Sequence, residues 1–174
     1  YEFAKRYSIA PVVSYQLDKD TKLTAEYNFQ YMQSSNIGSY YNFSAGGYAT
    51  LPQDFSMLEP GMEPTKINDH TLILNLQHNF SSDWKLTAQT AYFNYNRQGS
   101  SMWPASLDQK GNMVRYVSIG DAINEMKFGQ LFVNGKAQTG NVSHRILAGF
   151  DAGDKHAWYD WSQMHYLDST NTYN

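Results

Sequence analysis

Apolar and polar side chains alternate along much of the chain. From Tyr7 to Leu17 the odd positions read Tyr7, Ile9, Pro11, Val13, Tyr15 and Leu17, against Ser8, Ala10, Val12, Ser14 and Gln16. After Asp18-Lys19-Asp20 the alternation resumes, with Leu23, Ala25, Tyr27, Phe29 and Tyr31 against Thr24, Glu26, Asn28 and Gln30. A period of two marks a β-strand, because successive side chains leave opposite faces. The same pattern predicts a third strand from about Asp69 to Phe80 and a fourth from Trp84. A fifth is expected from about Glu125 to Gln138, and a sixth from about Arg145 to Ala152. Helix is expected to be minor, with one turn at most over Ile119 to Met126.

The connections differ in kind. Asp18-Lys19-Asp20, Ser81-Ser82-Asp83 and Thr139-Gly140-Asn141 are tight-turn sequences that pair the strands into three antiparallel hairpins. Between the hairpins lie long segments, Ser34 to about Lys66 and about Arg97 to Asn124, and a third begins after Asp154. Loops of that length are uncommon in a compact soluble domain. Short turns at one end and long loops at the other fit a transmembrane β-barrel, whose strands need only ~9–11 residues to cross. Tyr27, Phe29 and Tyr31 beside a long loop, and Phe80 and Trp84 beside a short turn, suit the aromatic girdles of such a barrel. His78 and His144 also sit on apolar faces near short turns and read as interfacial residues. A β-sandwich with decorated loops remains the alternative on periodicity alone.

Composition narrows the choice. The 174 residues contain 13 Lys and Arg against 16 Asp and Glu, a net charge of −3. That balance argues against nucleic acid as a partner, since phosphate contacts need clustered cations. There is no Cys, which excludes disulfides and thiolate metal sites. Mean hydropathy is −0.59, and no apolar run approaches the ~18 residues of a spanning helix. The aromatic content of 16% beside a polar average suits a barrel whose interior-facing residues offset its lipid-facing ones. The chain opens at Tyr1 with no leader pattern, and it reads as a piece of a longer protein.

Several segments, taken in order, resemble the barrels of TonB-dependent ferric-siderophore receptors, with the ferrichrome (ferric hydroxamate) receptor group as the nearest subgroup. They are Lys5-Arg6-Tyr7-Ser8-Ile9-Ala10-Pro11, Leu51-Pro52-Gln53-Asp54-Phe55 with Leu58-Glu59-Pro60-Gly61, and Asp69-His70 through Trp84-Lys85-Leu86. To these is added His144-Arg145-Ile146-Leu147-Ala148-Gly149-Phe150-Asp151. The resemblance implies an all-β, antiparallel up-and-down meander of about six strands, cut from a barrel of about 22 strands closed around a plug. It implies residence in the outer membrane of a Gram-negative-type bacterium, a ferric siderophore as ligand and no intrinsic cofactor. Its implied partners are outer-membrane lipid, the plug domain of the same parent chain and the TonB complex. Residues 1–174 would form a partial barrel domain without plug or remaining strands, leaving two unpaired edges.

The resemblance also points to ligand-contacting residues. Ser39-Tyr40-Tyr41-Asn42-Phe43 is similar to a Gly-Tyr-Tyr-Gly-Trp loop whose second Tyr and Trp face the ligand, which implicates Tyr41 and Phe43. Ala157-Trp158-Tyr159 is similar to an Ala-Trp-Phe segment whose Phe touches ligand, which implicates Tyr159 with Trp158 beside it. Trp103 lies in the loop that supplies further aromatic contacts, although the relative's disulfide there has no counterpart. Further loop aromatics are Tyr48, Trp161 and Tyr166. A siderophore already saturates its iron, so the site needs an aromatic and polar cup and not a set of metal ligands.

Other chemistry is thinly supported. His156 and His165 share a segment with Asp154, Asp160 and Asp168, but their spacing matches no standard metal motif. There is no G-x-S-x-G elbow and no H-E-x-x-H, so an enzyme is not expected. Glu26, Lys85, Arg145 and Asp151 are expected to line the barrel interior, the last two as contacts for a plug. The competing class is a surface or soluble β-sheet adhesion module that binds carbohydrate or protein through exposed Tyr and Trp.

Overall fold

A computed structural model describes residues 2–35, 43–59, 61–160 and 162–172. Among them there is no helix, and the chain forms antiparallel strands in two sheets. The strands are β1 (Ala4–Ile9), β2 (Val12–Gln16), β3 (Thr21–Ser34), β4 (Thr65–Asn79), β5 (Trp84–Gln98), β6 (Ser100–Leu107), β7 (Asn112–Ile119), β8 (Ala122–Thr139), β9 (Val142–Tyr159) and β10 (Gln163–Asn171). The large sheet runs β1-β3-β4-β5-β8-β9, with β2 also paired to β3, and the small sheet runs β10-β7-β6.

The sequence periodicity sets the register of the large sheet. Leu23, Leu76, Ala88, Leu131 and Phe150 stand side by side across five strands. Ala25, Leu74, Thr90, Gly129 and Ala152 form the next row. The opposite face carries Thr24, Asn75, Gln89, Gln130 and Asp151 in one row. Glu26, Lys85 and Arg145 share that polar face with Asp151. A one-residue slip in any strand would reverse its faces, so the pattern holds the register firmly.

The apolar face is uncovered. Ile9, Val13, Tyr15, Leu72, Leu74 and Phe150 are all exposed on it. A sandwich would bury this face under a second sheet packed ~10 Å away. Here the second sheet continues the first end to end instead, and an apolar band open to the surroundings is what lipid-facing strands present. Aromatics and histidines bound the band. Tyr27 and Phe29 pack around His70, with Tyr27 Oη 2.9 Å from His70 Nδ1. At the short-turn end His78 meets Phe80 edge-on. The sheet is open among the described residues, and every residue of β1, β2 and β9 is exposed.

Four departures from the sequence reading have local causes. The first expected strand is two, β1 and β2, because Pro11 has no N–H to continue the ladder. Its register is nonetheless unbroken, since Ile9 faces Phe29, Val12 faces Glu26, and Tyr27 N donates to Pro11 O at 3.1 Å. The helical turn over Ile119 to Met126 does not form. Ile119 ends β7 and Ala122 to Met126 open β8, paired to β5 through Arg97–Ala122 and Phe93–Met126. The segment from Arg97 to Asn124 is largely strand, as β6 and β7. The third segment, after Asp154, continues β9 to Tyr159 and then adds β10.

Candidate functional site

The pairing of β5 with β8 ends at Arg97–Ala122, and that of β6 with β7 begins at Ser100–Ile119. Between them Gln98 faces Asp121 and Gly99 faces Gly120, with Gly120 N donating to Gly99 O at 3.2 Å. The hairpin is therefore one continuous ribbon, bent at its two glycines. At ~3.3 Å per residue the path from Trp84 to Leu107 is roughly 80 Å, against ~30 Å of hydrocarbon in a bilayer. β10 follows β9 with a one-residue shift in register, Tyr159 facing Ala122 and Gln163 facing Ile119, and pairs with β7 through Tyr166–Tyr116. The small sheet is thus the wall of the large one, carried beyond its rim by three strands. Gly99 makes the bend at φ 120°, and a Cβ there would lie 2.8 Å from Pro64 O. No L side chain fits that combination comfortably.

The register of β5 and β8 runs unbroken into β6 and β7 as far as Trp103–Tyr116, and pairing with β7 sets the faces of β10. The polar, inner face of the wall ends in Tyr95, Arg97, Asn124 and Tyr159, and continues past the bend as Ser101, Ser118, Trp103, Tyr116, Met164 and Tyr166. Trp103, Tyr116 and Tyr166 stand abreast on neighbouring strands. The two tyrosine rings meet edge-on at 6.0 Å, and Trp103 Nε1 donates to Ser101 Oγ at 3.0 Å. Tyr159 Oη donates to Asn124 Oδ1 at 2.8 Å. Trp103 remains 40% exposed and Tyr166 59%. This inner face is an open surface of aromatic rings and hydroxyls.

The outer face of the extension is closed. Met102 and Met113 are fully buried there and pack with Met57, while Phe55, Met62, Leu107 and Leu167 surround them. Phe55, Met57, Glu59 and Met62 thus lie across the outside of β6, β7 and β10. Arg115 fixes the three pieces together. Its Nη2 donates to Glu59 Oε2 at 2.9 Å and its Nη1 to Met57 O at 3.0 Å. Its Nε donates to Asp168 Oδ1 at 2.7 Å, and Nη2 also pairs with Asp168 Oδ2. The Asp168 bonds above all, with those of Glu59, push the guanidinium pKa up against the opposing effect of burial. At 7% exposure Arg115 needs both carboxylates.

Of the residues expected to contact ligand, Trp103 and Tyr159 lie on the inner face of neighbouring strand pairs. Trp158 lies on the outer face beside Ile123 and is 54% exposed. Adjacent residues of a strand point to opposite sides, so Trp158 and Tyr159 cannot serve one cup. Phe43 is exposed outside any strand. Tyr41, Tyr40 and Trp161 lie outside the described residues. Arg97, Arg115 and Tyr116 went unremarked in the sequence reading. The odd positions Tyr95, Arg97, Ser101 and Trp103 continue the inward parity of β5, and that was the available signal. His156 faces Glu125 from β9, whereas His165 faces Val117 from β10.

The strand geometry defines a segment of a large antiparallel β-barrel wall with a three-stranded extension. No family model matches the chain. Its sequence is 26% identical to the metal-pseudopaline receptor CntO of Pseudomonas aeruginosa over 156 residues, in each of two strains. The match covers 87% of this chain and 21% of the relative, so the chain spans about a fifth of the curated relatives it matches. Among solved structures it superposes on the siderophore receptor PiuA from Acinetobacter baumannii with a TM-score of 0.76. That match has 19% identity and covers 90% of this chain and 24% of PiuA. A chain of the FpvAI–pyocin S2 complex gives a TM-score of 0.71 at 18% identity, covering 97% and 23%. CntO and PiuA are named as receptors, and the structural likeness shows that this chain shares their barrel fold.

Proposed function

We propose that the chain is a wall-and-mouth segment of a TonB-dependent outer-membrane receptor that binds and imports metal chelates, ferric siderophores among them. The observation that carries this reading is the asymmetry of the extension. Its inner face is aromatic and open, continuous with the interior wall, while its outer face is covered by Phe55, Met57, Glu59 and Met62. An aromatic and polar cup at the outer mouth suits a bulky chelate whose metal is already coordinated. Trp103, Tyr116, Tyr166 and Tyr159 would contact it; Tyr41 and Phe43 of the first long segment are further candidates by resemblance alone. The similarity to a metal-pseudopaline receptor supports a metal chelate as cargo, and no intrinsic cofactor is needed. The membrane-facing partner is outer-membrane lipid. Transport would proceed through a plug domain of the parent chain, driven by the TonB complex of a Gram-negative-type bacterium.

The test is tryptophan fluorescence of the full-length receptor in detergent, titrated with ferric and nickel chelates. Saturable quenching that disappears in Trp103→Phe is the expected result. Absence of saturation with every chelate, alongside binding of glycans, would instead support the adhesion reading.

A further inference from the structure

The inner face of the wall changes sign along its length. Its middle rows carry Glu26 and Asp151 as their charged groups. Below them, toward the short turns, the charged positions of that face are all cations. Lys22 stands in the row of Gln77, Thr87 and Phe132, and Lys85 lies one row further, between Asn79 and Asn134. In the last row Lys136 faces Arg145. Like charges directly opposite one another in a sheet are unfavourable. On the outer face the same two strands set Lys127 against Asp154, a complementary pair. A cavity of about 500 Å³ opens beside the turn at Asp83, and Lys85, Lys136, Arg145, Asn79 and Asn134 line it. The acids nearest to it belong to the turns. Asp83, which also lines the cavity, accepts from Ser82 Oγ at 3.4 Å, Asp18 accepts from Asp20 N at 2.8 Å, and Asp20 pairs with Lys19. None of the four cations makes an ion pair with a described residue. Lys85, Lys136 and Arg145 against Asp83 alone leave the cavity positive.

Interfaces set positive patches against negative ones. On the reading above, most of the parent chain lies outside residues 1–174, and the inner face of a closed barrel meets only what the barrel encloses. We propose that Lys22, Lys85, Lys136 and Arg145 dock an acidic surface of the parent chain's plug domain at the short-turn end of the wall. This rests on the receptor reading and specifies where the plug is held and by which charge. Glu26 and Asp151 would repel the same surface from the middle of the wall, so the change of sign sets the level at which the plug sits.

The test is zero-length cross-linking of the full-length receptor in detergent with a water-soluble carbodiimide, which joins a lysine amine to a carboxylate in contact with it. Mass spectrometry is expected to find Lys22, Lys85 or Lys136 joined to Asp or Glu of the plug. Links confined to Asp18, Asp20 and Asp83, or to acids of other barrel strands, would overturn the docking and leave the receptor reading intact. Amide exchange of the plug is the second readout. Lys85→Glu with Lys136→Glu should speed exchange at its acidic surface by roughly tenfold or more, and Lys85→Gln with Lys136→Gln by about threefold. Lys19→Glu, on a turn outside the cluster, should leave it unchanged. The wild type needs no substitution to report the same contact: its exchange there should rise with salt, because charges are screened beyond ~10 Å at about 0.1 M. Exchange that ignores salt and both double variants would overturn the docking as well. A parent chain with no domain inside its barrel would sink the receptor reading itself.

Discussion

The two sides of the three-stranded extension are built from the same strands and do opposite things. On the outer side, Met102 and Met113 pack with Phe55, Met57 and Met62, and Arg115 is bonded to Met57, Glu59 and Asp168. On the inner side, rings stand exposed and Arg97 has an enclosed donor with no acceptor. The difference separates holding from binding. One face is satisfied within the molecule; the other leaves its rings exposed and, among the described residues, two enclosed polar atoms without partners. Rigid support behind an open surface lowers the ordering entropy that a ligand must overcome.

The comparison can be broken first in the wall. Leu74→Arg places a charge on the apolar face and should destabilise the full-length barrel by about 2–4 kcal/mol near the bilayer midplane. Gln89→Arg, one row away on the polar face, should be nearly neutral. Urea unfolding of the two in the same detergent checks this, and equal effects would refute the assignment of faces. Next is the outer side of the extension. Arg115→Met strands Glu59 and Asp168. It should cost ~2–3 kcal/mol, less than the ~3–5 for a fully enclosed pair because both carboxylates are partly exposed. The loss should be local, seen as faster amide exchange and proteolysis in residues 43–64 and β10 while the wall stays protected.

A smaller effect is expected from the rings. Trp103→Ala should weaken chelate binding by about 1–2 kcal/mol, as for a central aromatic contact. Trp158→Ala, on the other face, should leave affinity unchanged, and calorimetric titration of both variants distinguishes the two positions. The smallest effect concerns the tip of the ribbon. Asp108 accepts bonds from the Asn112 side chain and backbone and from Lys110 N, which hold its carboxyl below the usual value of 3.8. A depressed pKa stabilises the turn above the unfolded value, and the contribution is lost as pH falls through the folded one. Amide exchange at the ends of β6 and β7 should therefore rise below about pH 4 more than intrinsic exchange predicts. Asp108→Asn should abolish that extra rise.

Much of the wall was legible because the two faces of the sheet differ in chemistry, as at Leu72, Leu74 and Leu76 against Thr71, Asn75 and Gln77, with Ile73 the exception. The extension was not legible for a physical reason. Both of its faces are partly covered, one by Phe55, Met57, Glu59 and Met62 and one by its own aromatics, so Ser100 to Leu107 shows no two-residue rhythm. Pro104 and the irregular steps at Pro104/Ser106 and Tyr166/Asp168 disguise it further. Trp103 and Tyr159 could be named as aromatics near a mouth. That Trp158 looks outward and that Tyr116 joins the row depended on a register running unbroken through the bend.

That unbroken register also constrains how such a protein can change over generations. An insertion at the Asp108–Gly111 tip that adds residues to both strands alike lengthens the ribbon and keeps rings facing inward. A single-residue insertion within β6 or β7 turns the succeeding side chains over, exchanging Trp103 for Met102 at the mouth. Diversification of the extension is therefore expected to proceed by paired additions at the tip and by substitutions at inward positions, with the large sheet unchanged.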